Sequence, residues 1–172
     1  MVNSRNKGAS FERDVKNRLF DALGLEFRRV LDQWAEAGLP DLVCDDREFP
    51  FIIECKRYKQ GSTFANPAHW DQVCNAATKY TERRRVLRPH EAAKLPALVY
   101  KYDRLPERWR VPIQALAMLS AFNPAQDIAE QYDWKYACEM SFDDFCMVCR
   151  ELLAVSQCEV GALPSVESVE GS

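Results

Sequence analysis

Histidine is nearly absent from this 172-residue chain, which holds only His69 and His90. Two imidazoles leave little for a histidine-based metal nuclease or a zinc hydrolase. Glycine is also scarce, at six residues, and none of them gather into a Gly-rich phosphate loop of the P-loop or dinucleotide type. No apolar run approaches the roughly 18 to 20 residues needed to cross a bilayer. The opening Met1-Val2-Asn3-Ser4-Arg5-Asn6-Lys7 leads into a polar helix rather than a secretory apolar segment. The expectation is a soluble, cytoplasmic protein with no membrane partner.

Nearly half the chain is apolar (47%), enough for one well-buried core and short for two. Seven cysteines, an odd number, are scattered through predicted strands and helices, which points to reduced thiols acting as small core residues. Cys146 and Cys149 form a single CxxC flanked by Cys138 and Cys158; without a matching second pair this is a weak zinc or iron-sulfur signal. The net charge of −3 hides an asymmetry. Residues 1 to 110 carry 21 Lys and Arg against 16 Asp and Glu, a net of +5, whereas residues 111 to 172 carry 2 against 10, a net of −8. That suits a phosphate-binding region followed by an acidic accessory segment, although an unevenly charged solvated surface gives the same numbers.

Phe11, Val15, Leu19 and Leu23 recur at every fourth residue, predicting a helix over 10–23 that Gly24 stops. Residues 25–31 and 39–44 read as strands, Asp45-Asp46-Arg47 as a turn, and the β-branched and aromatic stretch 51–57 as a third strand. Pro67 suits the first turn of a helix running to about Arg85. Residues 97–102 and 108–112 complete the strands. Beyond Pro112 the pattern turns helical, through 115–119 and then through Phe142, Phe145, Val148 and Leu152, with Ser141 and Asp144 as a capping-box-like start. Helix, three strands, helix, strand predicts an α/β fold with a central mixed sheet flanked by helices. The expected organisation is a core over 1–112, a helical extension over 113–156 packed on it, and a disordered acidic tail over 157–172.

Along the third strand alternate side chains share a face, so Glu54 and Lys56 are neighbours about 7 Å apart. A carboxylate suits a hard divalent cation, and a nearby ammonium can orient the attacking water or neutralise charge on a scissile phosphate. Asp41, at the start of the preceding strand in Leu39-Pro40-Asp41-Leu42, supplies a second carboxylate if the two strands pair. The backbone carbonyl of Cys55 completes the protein's share of an octahedron, and Glu12, on the border of the buried helix stripe, offers a further acidic ligand directly or through water. The alternative is bland: a surface Glu54–Lys56 ion pair and a Pro-Asp turn. The coincidence of Glu12, Gly38-Leu39-Pro40-Asp41 and Glu54-Cys55-Lys56 in the right element order favours metal-dependent phosphodiester hydrolysis. Basic residues suited to phosphate contacts are Arg5, Lys7 and Arg13 near Glu12, Arg57 and Lys59 past the third strand, and Arg83, Arg84, Arg85 and Arg88. Trp34, Trp70, Trp109 and Trp134 are candidates for base stacking, with core packing the better reading for most.

Lys7-Gly8-Ala9-Ser10-Phe11-Glu12-Arg13, Gly38-Leu39-Pro40-Asp41-Leu42-Val43 and Phe51-Ile52-Ile53-Glu54-Cys55-Lys56 together resemble the archaeal-type Holliday junction resolvases and the related PD-(D/E)xK nucleases of phages. The resemblance covers roughly the first 60 residues and continues loosely to about residue 112. It implies a restriction-endonuclease-like core, magnesium on Asp41 and Glu54 with manganese as a substitute, Lys56 acting on water and phosphate, and Glu12 as the helix acid. It implies a homodimer acting on a four-way DNA junction and, for a phage-encoded enzyme, the cytoplasm of a bacterial host. Trp70-Asp71-Gln72 is similar to phage members, where a helix glutamine lies near the metal; an ordinary exposed helix residue is an equal reading of Gln72. The stretch after 112 has no counterpart in the short archaeal enzymes. Beside junction resolution, a general or end-acting DNA nuclease and a non-catalytic DNA-binding module remain as alternatives.

Overall fold

The structure, a computed structural model, describes residues 4–30, 38–59, 65–89, 91–119 and 135–161; for residues 4–6 and 157–161 it describes the backbone alone. The first helix, α1 (Ser4–Leu23), buries Phe11, Val15 and Leu19 from one stripe. Gly24 ends it at φ +70°, its N–H donating to the Phe20 carbonyl at 2.8 Å, a left-handed cap that glycine adopts without a Cβ penalty.

Strands β1 (Phe27–Arg29), β2 (Leu42–Cys44) and β3 (Phe51–Tyr58) follow as an antiparallel set, pairing Arg29 with Leu42 and Leu42 with Ile53. Both faces of β3 are covered, so it reads as a nearly continuous apolar run broken by Glu54. Helix α2 (Pro67–Leu87) starts with Pro67 in its first turn and with the Asn66 side chain accepting from the Ala68 N–H at 3.0 Å. It crosses over to β4 (Leu95–Tyr102), which lies parallel to β3 in the register Glu54–Leu98 and Lys56–Tyr100. The buried Lys94 at the entry to β4 donates to the carbonyls of Arg47 and Phe49, tying the β2–β3 connection to the sheet.

Strand β5 (Arg108–Pro112) returns antiparallel and runs into the short helix α3 (Ile113–Ala117). The next described element is a strand, β6 (Ala137–Met140), which pairs with β5 and makes the sheet six-stranded in the order β1 to β6. The sequence pattern predicts no strand between 113 and 141. Four half-buried residues carry too short an alternation to announce one, and the pairing with β5 creates it. Helix α4 (Phe142–Gly161) opens on the expected capping box: the Ser141 hydroxyl accepts from the Asp144 N–H at 3.1 Å and donates to its carboxylate at 2.7 Å. Its backbone continues past 156 to Gly161; the remainder of the expected acidic tail lies outside the described residues.

The result is a mixed sheet flanked by helices, the restriction-endonuclease-like arrangement expected. On one face lie α1 and α4, where Phe145 stacks on Trp109 with ring centroids 4.0 Å apart and meets Phe51 at 5.2 Å. The other face meets α2 through Trp70, Val73, Ala76 and Ala77. Among the described residues no helix is long and apolar enough to cross a membrane. Cys146 and Cys149 are buried core residues of α4, and burial pushes the Cys146 thiol up to about 11; the Cys158 side chain lies outside the described residues.

Candidate active site

Asp41 and Glu54 are brought together by the antiparallel register of β2 and β3. Gly38, at φ +97°, turns the chain ahead of Pro40 and Asp41, a backbone conformation that favours glycine; a Cβ there would meet only the flexible end of Lys79, Nζ at 2.9 Å. Asp41 comes out 8% exposed, its Oδ2 accepting from the Cys55 backbone N–H at 2.7 Å. Glu54, opposite it, is 2% exposed. Its Oε1 receives Lys56 Nζ at 2.6 Å and Gln72 Nε2, from α2, at 2.7 Å. Its Oε2 is buried and has no hydrogen-bond partner.

The electrostatics follow from that geometry. Burial, then the neighbouring Asp41 charge, push the Glu54 carboxyl up to about 7, against the opposing pull of Lys56. For Lys56, burial works against the charged form, but the Glu54 carboxylate outweighs it and raises the pKa. A second carboxylate, an orphaned buried oxygen and an elevated carboxyl pKa are what a pair of metal ligands presents when the cation is left out of the balance. Oxygen donors of this kind suit a hard divalent cation, so the residues fit the group implied by the sequence.

Glu12, expected as a further acidic ligand directly or through water, pairs with a cation of β1. It accepts from Arg29 through both Nε (2.7 Å) and Nη2 (2.5 Å), on the α1 side of the sheet. Among the described residues no group of three or more His, Cys, Asp or Glu side chains is close enough to hold a metal ion together. Its charge nonetheless contributes to the elevated Glu54 carboxyl. Arg29 is a residue the sequence analysis missed; the only available signal was a cation in the predicted first strand.

Of the basic candidates, Lys7 and Arg57 meet at one carboxylate, Asp103, at 3.5 and 3.3 Å. Arg57 alternates with Lys56 along β3 and so projects to the α1 side. Arg13 and Lys59 are exposed, and the Arg5 side chain lies outside the described residues. Of the arginine run, Arg84 and Arg88 pair with Glu91, and Arg85 donates to its carbonyl. Trp70 and Trp109 are buried, as core packing requires, while Trp34, Trp134 and His90 lie outside the described residues. Beyond Lys56 the face ends in Tyr58, whose hydroxyl lies 2.9 and 3.0 Å from the ring nitrogens of His69, one turn of α2 before Gln72.

No curated protein matches the chain. Among solved structures it is similar to Hjc, a Holliday junction resolvase of Archaeoglobus fulgidus, at 21% identity with a TM-score of 0.43, covering 62% of this chain and 76% of that one. The family described as "Phage putative PDDEXK endonuclease" matches residues 3–159, which takes in every element from α1 into α4. The chain belongs to that phage PDDEXK endonuclease family.

Proposed function

We propose that this member of the family is a magnesium-dependent, structure-selective DNA endonuclease that resolves four-way junctions by phosphodiester hydrolysis. The observation that carries the hydrolytic reading is the buried Asp41–Glu54 pair with Lys56 on one oxygen of Glu54 and the other oxygen unpartnered. A binding module has no use for two carboxylates held out of water. Preference for junctions rests on the motif resemblance over the first 60 residues.

Asp41, Glu54 and the Cys55 carbonyl would hold the magnesium ion, with manganese as a substitute and Glu12 contributing through water. When bound, the ion supplies Lewis-acid stabilisation of the charge developing at the phosphate and acidifies a bound water. Lys56 stays protonated at neutral pH, because Glu54 supports its charge, and its N–H donors orient the attacking water or neutralise a phosphate oxygen. Gln72 fixes the Glu54 carboxylate from the helix side, leaving Oε2 to face a ligand. Exposed Arg13 and Lys59, with Lys7 and Arg57, meet the DNA backbone and contribute affinity without base readout. A homodimer sets two such sites on one junction, in the cytoplasm of the phage's bacterial host.

The test is cleavage of a labelled four-way junction beside linear duplex, flap and single-stranded DNA, with magnesium and with EDTA, for wild type and Glu54→Ala. Paired magnesium-dependent nicks confined to the junction and lost in the variant establish a resolvase. Cutting of every substrate leaves a general nuclease, and no cutting of any leaves a DNA-binding module.

A further inference from the structure

At the carboxyl-terminal rim of β3 and β4, three separate elements converge on one partly exposed acid. Lys7 comes from the first turns of α1, Arg57 from the end of β3, and Asp103 from the turn after β4. Each cation takes its own carboxylate oxygen, Lys7 on Oδ2 and Arg57 on Oδ1. All three side chains are about one third exposed, at 31%, 33% and 32%. Single, long, solvent-screened contacts of this kind contribute little to stability, so the fold gains little from gathering them.

The backbone that carries the acid is nevertheless held firmly in position. The Asp103 N–H donates to the Tyr58 carbonyl at 3.0 Å, and the Leu105 N–H to the Tyr102 carbonyl at 3.1 Å. Between them Arg104 takes φ +70°, the only positive φ of a non-glycine among the described residues. Such a conformation is unfavourable for a non-glycine residue and persists where the surroundings impose it. The charges acting on Asp103 are those of Lys7 and Arg57, and further cations follow along the same segments: Lys101 is the cross-strand partner of Arg57, Lys59 lies just past β3, and Arg104 is exposed.

We propose that Lys7 and Arg57 form a seat for one backbone phosphate of bound DNA, and that Asp103 occupies this seat in the free protein. A phosphodiester presents two non-bridging oxygens in the fork that a carboxylate presents, and the same two donors serve either. Arg57 adjoins Lys56 in the chain, with consecutive Cα atoms about 3.8 Å apart. Their side chains leave opposite faces of β3, so a DNA strand with one phosphate at Asp41, Glu54 and Lys56 reaches this seat by passing over the strand end. The Asp103 side chain must be displaced on binding, which lowers DNA affinity. The inference rests on the DNA-binding reading above.

The experiment is the affinity of the full chain for a labelled duplex and a labelled four-way junction in EDTA, over a series of salt concentrations. Inorganic phosphate and a nucleoside monophosphate serve as competitors, and a thermal melt accompanies each variant. Asp103→Asn is expected to bind DNA about two- to fivefold more tightly. Lys7→Ala and Arg57→Ala are each expected to bind more weakly and to reduce the salt slope by about 0.9. In the Lys7→Ala/Arg57→Ala background the gain from Asp103→Asn should vanish. Unchanged or weakened binding by Asp103→Asn with an unchanged melt overturns the inference, as does a gain that survives in the double-variant background. Displacement of DNA by millimolar inorganic phosphate alone assigns the seat to free anions and overturns its role for DNA. Wild type that binds no DNA at all overturns the underlying reading instead.

Discussion

Gln72 donates its Nε2 hydrogen to Glu54 Oε1 at 2.7 Å, to the same oxygen that receives Lys56 Nζ at 2.6 Å. Both donors thus hold one side of the carboxylate and leave Oε2 bare. Removing the amide in Gln72→Ala should lower kcat/KM for DNA cleavage about tenfold, the size of one hydrogen bond to a charged group. Unchanged single-turnover rates at saturating DNA would return Gln72 to an ordinary helix residue.

Glu54 gives a pH signature in the metal-free protein. Its carboxyl is raised from 4.5 to about 7 by burial first and Asp41 second. The folded state therefore binds a proton more tightly than the unfolded chain does. The stability linked to that proton is present below pH 4.5 and lost as the pH rises through about 7. The loss is on the order of 3 kcal/mol. Glu54→Gln, which lacks this titration, should melt about 6–12 °C above wild type at pH 8 in EDTA and match it near pH 4. Its cleavage should be abolished. A stability gap that does not vary with pH would contradict the protonation behaviour assigned to Glu54.

Lys56→Met removes the ammonium while keeping the buried stem. Cleavage should fall by at least about a hundredfold, the scale of a group acting only in the transition state, while DNA affinity in EDTA changes by less than about threefold. Normal cutting by this variant would refute the site assignment.

The ion pair of Arg29 and Glu12, two guanidinium nitrogens on Glu12 Oε2, predicts coupling between two residues 17 apart in sequence. In urea unfolding, a double-mutant cycle with Arg29→Ala and Glu12→Gln should return an interaction of about 1 kcal/mol, the pair being only partly buried. Glu12 freed by Arg29→Ala alone should also raise the Glu54 carboxyl further, shifting the lower limb of the pH–rate profile upward. Additive effects and an unmoved profile would show the pair to be incidental.

Phe145 is fully buried between Trp109 and Phe51. Phe145→Ala should cost about 3–5 kcal/mol, and a chain ended at Pro112 should fail to give a cooperative melt, because Trp109, Val111 and Phe51 would lose their cover. A cooperatively folding, DNA-cleaving fragment of residues 1–112 would reverse this.

The sequence alone determined the chemistry available. The four-residue spacing of Phe11, Val15 and Leu19 set α1, the β-branched run set β3, and period two put Glu54 beside Lys56 on one face, since backbone geometry fixes these relations over a few residues. Asp41 was legible because a proline and a turn bracket its strand. What tertiary structure decided lies across elements. Glu12 meets Arg29 because α1 packs against β1 as well as β3. Lys7 and Arg57 meet over Asp103, a residue with no local signature, because a turn pinned to Tyr58 brings it there. The strand β6 exists because the free edge of β5 has unpaired backbone groups to satisfy, and its four residues gain their conformation from that pairing. Spacing along a chain constrains neighbours within a helix or strand, whereas the partners of a side chain across the sheet depend on register and packing that only the whole fold supplies.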